Sequence, residues 1–332
     1  MDNNKNNLTT NKILQTRATL NQIIRSFFND HGFLEVDTPI LSPWLIPEPS
    51  INIFVTEQNY SSDTTPRSRP LYLTPSPELW MKRIVGLGIN KIYQLAHCFR
   101  NIEEQSNYHR HEFTMLEWYN CQENYIEALQ RTEELIEKIF CEASKHYNLP
   151  SNLKPPIIKL SMCDLWLKKV KFDPAKYSTL ELIAKAKALN IQTNPKDTWE
   201  VVFNRIFLTL IEPEIPKSNP VALMDYPARI PTLAAPSQDQ NYAQRWELYI
   251  NGIEIGNCFQ ELVNEESLNN YMINQAGISN TDLIPHRTDF ILPKIFGAIA
   301  ECSGVAIGID RLFCLMMQLP NISDTIACGN LV

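Results

Sequence analysis

IYQLAHCFRNIEEQSNYHRHEFTMLEWY, residues 92 to 119, is the stretch around which the rest of the chain is organised. Two runs rich in aromatic and aliphatic residues, 92 to 99 and 111 to 119, flank a polar segment, which predicts a long β-hairpin with a flexible loop. Alternation places Phe113, Met115, Glu117 and Tyr119 on one face of the second strand and Glu112, Thr114, Leu116 and Trp118 on the other. A carboxylate and a phenol on one face of a mostly apolar strand are unusual. Arg100 stands where the first strand ends, so a rigid element would aim its guanidinium fork at an anion beside the loop. Taken alone, an Arg at a strand end is more often a solvated surface residue. The loop adds His109, Arg110 and His111.

Three further stretches carry chemistry. In RWELYINGIEIGNCFQEL, 245 to 262, Asn251-Gly252 between alternating runs predicts a hairpin with a two-residue type I′ turn. That turn pairs Ile250 with Ile253 and Tyr249 with Glu254, making Glu247 a diagonal neighbour of Glu254 on one face. Two carboxylates so placed repel unless a cation or a basic partner joins them. A solvated edge strand paired to lysines is the plainer alternative. In CSGVAIGIDRLFCLMM, 302 to 317, Gly304 and Gly308 punctuate a hydrophobic strand, which suits close approach of a flat ring to the backbone. Asp310 would begin the next helix and Arg311 would lie in its first turn, where a cation opposes the helix dipole and an anionic ligand compensates. LYLTPSPELWMKRIVGLG, 71 to 88, reads as a short strand, a Pro-Ser-Pro turn and a helix beginning around Pro77 and Glu78. Ordinary capping would make Ser76 the N-cap and put Glu78 near the positive helix end. A carboxylate there also suits an ammonium group.

In wording and order these stretches resemble the motifs of the class II aminoacyl-tRNA synthetases. FRN followed by HEFTMLEWY is similar to motif 2, residues 302 to 317 to motif 3, and the strand GFLEVDTPIL, 32 to 41, ended by Pro39, to motif 1. The variant is that of the lysyl-tRNA synthetases and of their short paralogues, the ligases that attach (R)-β-lysine to elongation factor P. Ala306 stands where lysyl-tRNA synthetases usually have Gly and the β-lysine ligases have Ala. The resemblance runs from about residue 12 to 318.

It implies an α+β catalytic fold, a mainly antiparallel sheet flanked by helices, dimerising through motif 1. It also implies ATP-dependent conversion of (R)-β-lysine to an acyl-adenylate and transfer to a lysine ε-amino group of elongation factor P. By the same resemblance Ser76, Pro77, Glu78 and Tyr119, with Glu254, Asn257, Glu261 and Ala306, face the amino acid, Glu261 being best placed for the side-chain amine. Asn101, Glu103, His109 and Arg110 of motif 2, with Glu247, Leu248 and Gly308, contact ATP. Arg100 would stabilise the α-phosphate and Arg311 the γ-phosphate, while Glu247 and Glu254 would hold Mg2+, whose hardness suits oxygen ligands. A paralogue acting on tRNA or a small amine, and a non-catalytic amino-acid-binding regulator, are the alternatives. Retention of both arginines and both glutamates argues against the regulator.

The chain departs from the family pattern in three places. Ile102 is inserted before Glu103, His109-Arg110-His111-Glu112-Phe113 replaces HNPEF, and Cys258 replaces a Gly, adding a side chain near the amino-acid pocket. These changes touch the loop contacts to ATP and the choice of substrate; Arg100, Glu247, Glu254 and Arg311 are intact.

The remaining sequence sets the boundaries. Its 332 residues, 44% hydrophobic and 20% charged, describe a soluble globular protein. Apolar runs are broken by charge well before the ~18 residues a membrane span needs. Met1 to Asn11 is polar, reads as a disordered tail and has no signal-peptide core, so a cytoplasmic location is expected. The eight cysteines form no CxxC pair, consistent with free thiols in a reducing compartment. A net charge of −7 exerts no general pull on nucleic acid. Catalytic-type sequence begins near Lys12, leaving no room ahead of it for an anticodon-binding domain, so tRNA is a poor acceptor. Residues 12 to 332 are expected to form one catalytic domain. Helical spacing predicts helices over 12 to 30 and 123 to 147, and a Lys- and Pro-rich helical insertion at about 150 to 220. Residues 43 to 70 read as a loop-rich connection, 225 to 234 as a strand, and 265 to 300 as helix and loop.

Overall fold

The strands, in chain order, are β1 (Leu34–Glu35), β2 (Leu41–Ser42), β3 (Phe54–Ser62), β4 (Thr65–Leu73), β5 (Lys91–Phe99), β6 (Glu112–Asn120), β7 (Ile158–Ser161), β8 (Val221–Pro227), β9 (Tyr242–Ile250), β10 (Ile253–Gln260) and β11 (Ser303–Gly308). The helices are α1 (Asn3–Asp30), α2 (Glu78–Gly86), α3 (Tyr125–Ala143), α4 (Met162–Val170), α5 (Thr179–Ala188), α6 (Trp199–Ile206), α7 (Glu265–Ser279), α8 (Leu292–Phe296) and α9 (Ile309–Met316). The computed structural model describes residues 3–62, 65–101, 106–279, 284–327 and 329. Ile102, Glu103, Cys328 and the first two residues lie outside them.

Eight strands form the main sheet in the order β1-β5-β6-β11-β10-β9-β8-β7. The six central strands are antiparallel, and β1 and β7 close the edges in parallel pairings with β5 and β8. The fold is therefore α+β. The predicted hairpin forms, with Ile92 opposite Tyr119 and Phe99 opposite Glu112. So does the second, with Ile250 opposite Ile253 and Tyr249 opposite Glu254. Asn251 and Gly252 have φ of 56° and 76°, the paired positive values that a type I′ turn requires.

Strand alternation divides the sheet into a packed face and an open one. Leu116 and Trp118 of β6 and Trp246 and Leu248 of β9 join α1 and α3 in the main core. The stripe Leu20, Ile24, Phe27 and Phe28 supplies α1's buried face, and Phe28 stacks on Tyr93 at 4.5 Å. A capping box of Asn124 and Glu127 starts α3. Helices α4, α5 and α6 surround a second core in which Phe203 stacks with both Trp166 and Trp199 at 5.1 Å, resting on Val221 and Leu223 of β8.

Several local expectations need correction. Helix α1 begins at Asn3, ahead of Lys12, and takes in most of the segment read as a tail. The motif 1 strand shrinks to two residues: Val36 still donates to the Tyr93 carbonyl, but Pro39 has no N–H to extend a ladder. The connection 43 to 70 contains the long hairpin of β3 and β4, which joins β2 in a separate three-stranded sheet. Exposed Thr, Gln and Arg side chains along it hid the apolar alternation that signals a strand. The strand expected at 225 to 234 starts earlier and ends at Pro227. Pro77, not Ser76, occupies the N-cap of α2, and no side chain caps that helix.

Candidate active site

On the open face, register brings single residues from six strands into one row: Gln94, Glu117, Ala306, Asn257, Glu247 and Leu223. Two residues along, the next row on that face is Ile92, Tyr119, Gly304, Phe259 and Arg245. Over these rows lies a cleft of about 810 Å³, walled by Ser76 and Glu78, by Glu48 to Ile51, and by Tyr271 and Gln275 of α7. A smaller recess of about 90 Å³ adjoins it at Arg100, Phe113, Gly308 and Arg311.

One end of the cleft is a buried ionic cluster. Lys82, on α2, is fully buried and lies 2.6 Å from Glu78 Oε1 and 2.7 Å from Glu261 Oε2, with its Nζ 5.2 Å from the centre of the Phe296 ring. Burial opposes the charge on Lys82, but Glu261 and Glu78 outweigh it and hold the pKa above the ordinary lysine value. Tyr119 donates its hydroxyl to Glu117 Oε1 at 2.7 Å. Burial, then the Glu78 charge, raises the Glu117 carboxyl well above the usual range. Burial also raises Glu261 to about 7, against the pull of Lys82. Three glutamates therefore share one lysine, and a ligand ammonium would restore the balance. Gly304 makes the cluster possible: a Cβ there would lie 2.3 Å from Glu261 Oε1 and 2.6 Å from Tyr119 Cε1.

The other end is built for anions. Arg100 lines both cavities, its guanidinium 5.3 Å from the centre of the Phe113 ring. Arg311 is aimed at the recess by bonds from Nε to the Tyr108 carbonyl at 3.1 Å and from Nη1 to the Glu254 carbonyl at 3.0 Å. Asp310 fixes the first turn of α9, accepting from the Thr114 N–H at 2.8 Å and pairing with Arg17 of α1 at 2.6 Å. Glu247 and Glu254 both face the cleft. Tyr226 and Tyr249 donate to Glu247 Oε2 at 2.5 and 2.9 Å, and Arg245 pairs with Oε1. Burial, then the Glu247 charge, raises the Glu254 carboxyl to about 7. A divalent cation would relieve that strain. Among the described residues no cluster of three or more His, Cys, Asp or Glu could hold a metal. The fit is to Mg2+, which takes one or two carboxylates and completes its shell with water and phosphate.

The structure thus brings together Ser76, Glu78, Tyr119, Asn257, Glu261, Ala306, Arg100, Glu247 and Glu254 around the cleft, and His109, Arg110, Gly308 and Arg311 around the recess. Asn101 is turned aside, its side chain donating to the Ile53 carbonyl at 3.3 Å. Leu248 packs into the main core on the far face of β9, so only its main chain is near the nucleotide end. Cys258 is corrected likewise: alternation from Asn257 sends it into the core, away from the amino-acid pocket. At Gly304 the groups that approach the backbone closely are the Glu261 carboxylate and the Tyr119 ring. Sequence reading missed Lys82, Arg245 and Glu48 and gave Glu117 no role. The Glu78-Lys82 spacing of four on a helix was a usable signal for the first; Glu48, in a Pro-rich connection, offered none.

The model of class II tRNA synthetases (D, K and N) matches residues 3–331. Proteins named elongation factor P--(R)-beta-lysine ligase are similar over their length. That of Pasteurella multocida is 33% identical over 320 residues, 95% of this chain and 94% of the relative. The Haemophilus influenzae (strain PittGG) protein is 31% identical over 320 residues, with the same coverage of both chains. That of Hamiltonella defensa is 32% identical over 322 residues, again 95% and 94%. A sheet whose open face carries a carboxylate cluster at one end and two arginines at the other accords with these matches: the chain belongs to the class II tRNA synthetase family.

Proposed function

We propose that the protein is a ligase that activates (R)-β-lysine with ATP and transfers it to a lysine ε-amino group of elongation factor P. The observation that carries this reading is the polarity of the cleft, with Glu78, Glu117 and Glu261 at one end and Arg100 and Arg311 at the other. A substrate with a distal ammonium and a carboxylate fits it in one direction only. The matched relatives carry the corresponding name.

The substrate carboxylate, placed beside Arg100, attacks the α-phosphorus of ATP; the bond to the bridging oxygen breaks and pyrophosphate leaves. Arg100 neutralises charge on the α-phosphate and Arg311 on the γ-phosphate, in a site partly closed to water. Glu247 and Glu254 would hold Mg2+, which supplies charge compensation for the phosphates when bound. The acceptor amine then attacks the acyl carbon, AMP leaves, and the amine's proton passes to solvent. No covalent enzyme intermediate is needed.

A homodimer is part of the proposal: Leu34, Ile40 and Leu41, around the motif 1 Pro39, are large apolar side chains left exposed. The negative net charge favours a protein acceptor over tRNA. Among the described residues no helix is long and apolar enough to cross a membrane, and the described cysteines are free; a cytoplasmic site of action is part of the proposal. The test is amino-acid-dependent ATP–pyrophosphate exchange with (R)-β-lysine and L-α-lysine, followed by mass analysis of elongation factor P. Exchange favouring β-lysine and a mass gain on the factor are expected. Absence of exchange with both overturns the reading.

A further inference from the structure

Three carboxylates that line the cleft, Glu48, Glu200 and Glu212, have no role in the activation chemistry, and Glu48 is the one on a segment bonded to Asn101, beside Arg100. It sits in the connection between β2 and β3, half-buried, and lines the cleft. It makes no hydrogen bond or ion pair through its side chain with any described residue. The charged groups around it are Glu78, Arg100, Lys82 and Arg245. Of these cations Lys82 and Arg245 are committed to other carboxylates, and Arg100 forms no ion pair with a described residue. Lys82 is held between Glu78 and Glu261, Arg245 pairs with Glu247, and Arg100 lies over Phe113 at the mouth of the phosphate recess.

Its position along the cleft is informative. The segment that carries Glu48 is tied to the anion end: the Asn101 N–H, next to Arg100, donates to the Asn52 carbonyl at 2.9 Å and the Asn101 side chain to the Ile53 carbonyl at 3.3 Å. Glu48 lines the cleft together with Ser76, Glu78 and Arg100, so it lies toward the anion end of a cleft whose other end is the amine cluster. Burial, then the Glu78 charge, raises its carboxyl to about 7, the condition of an acid that lacks a positive partner.

An amino acid laid in the cleft with its carboxylate at Arg100 and its far ammonium at Glu117 and Glu261 passes Glu48 near its carboxylate end. A diamino acid carries a second ammonium there; a single-amine chain of the same length does not. We propose that Glu48 is a specificity-determining residue that binds the ammonium nearer the substrate carboxylate and so selects diamino acids over ω-amino acids. This rests on the amino-acid-activating reading of the cleft.

The experiment is ATP–pyrophosphate exchange by the full-length parent and E48Q, with (R)-β-lysine as substrate and 6-aminohexanoic acid, which lacks the inner amine, as competitive inhibitor. A charge-assisted hydrogen bond of this kind is worth about 10- to 150-fold in affinity. E48Q should raise the KM for β-lysine by that factor with little change in kcat, leave the inhibition constant of 6-aminohexanoic acid within about twofold, as expected where no contact is lost, and keep the thermal midpoint. Equal weakening of both ligands would mark Glu48 as merely structural and overturn the proposal, as would an unchanged KM. A parent enzyme that shows no exchange overturns the activation reading itself, and this assignment with it.

Discussion

Replacing Lys82 with Met keeps the length of the side chain and removes its charge. Lys82 is fully buried, and Glu261, its partner at 2.7 Å, is 2% exposed. Removing one member of a buried ion pair typically costs about 3–5 kcal/mol, because the other charge is left without compensation. An exposed pair such as Arg25 with Glu35 contributes no more than about 1 kcal/mol. Lys82→Met should therefore lower stability by about 3–5 kcal/mol at pH 8. The penalty should vary with pH. Glu261 already has its carboxyl raised to about 7, by burial first, with Lys82 opposing the rise; without Lys82 it rises further. A folded-state acid raised above its unfolded value costs stability as pH climbs from that unfolded value through the folded one. The deficit should thus be smallest near pH 5, where Glu261 is protonated with or without Lys82, and grow as pH rises past 7 toward the variant's higher value. The stability supplied by the raised Lys82 pKa itself is lost only well above this window. Urea unfolding followed by fluorescence at pH 5, 6.5 and 8, on parent and variant, measures the difference. A deficit under about 1 kcal/mol, or one independent of pH, would refute the cluster's electrostatic account.

Three further outcomes follow from the same geometry. Gly304→Ala drives a methyl into Glu261 and Tyr119, so it should cost about 1–3 kcal/mol and raise the amino-acid KM at least tenfold, read by thermal unfolding and pyrophosphate exchange. Cys258→Ala should destabilise by about 1 kcal/mol, as expected for a small loss from the core, and leave the KM for β-lysine unchanged; a KM shift would place Cys258 on the cleft after all. Glu48 and Glu261, near 7 when free, must be ionised to hold ammonium groups. Amino-acid affinity should then rise as pH goes from 6 to 8, with protons released on binding that calorimetry in buffers of different ionisation enthalpy detects.

What was legible in the sequence was whatever local chemistry encodes. Asn251-Gly252 dictated a turn, and that turn dictated which face Glu247 and Glu254 share. The alternation through Phe113 to Tyr119 separated core from cleft correctly. Two kinds of feature escaped. One was structure without an apolar pattern: β3 and β4 pair along polar strands whose side chains look like loop. The other was contact between segments remote in sequence. Nothing in a Gly between Ser303 and Val305 announces that Glu261 and Tyr119 will press against it. Nor does the order of residues show that Arg17 will brace Asp310. Cys258 was misplaced for a simpler reason: its neighbours in the chain are cleft residues, and in a strand a neighbour lies on the opposite face.

The row that links Gln94, Glu117, Ala306, Asn257, Glu247 and Leu223 has a consequence for folding. Its members come from distant parts of the chain, and β11 reaches its place between β6 and β10 only after about 180 residues have been laid down since β6, a separation that makes closure slow. Until that strand inserts, the amine cluster has no Gly304 beneath it and Arg311 has no seat. Partly folded chains and chains stalled before β11 should therefore be silent in any exchange assay, so that recovered activity during refolding counts only molecules in which the whole sheet has zipped shut.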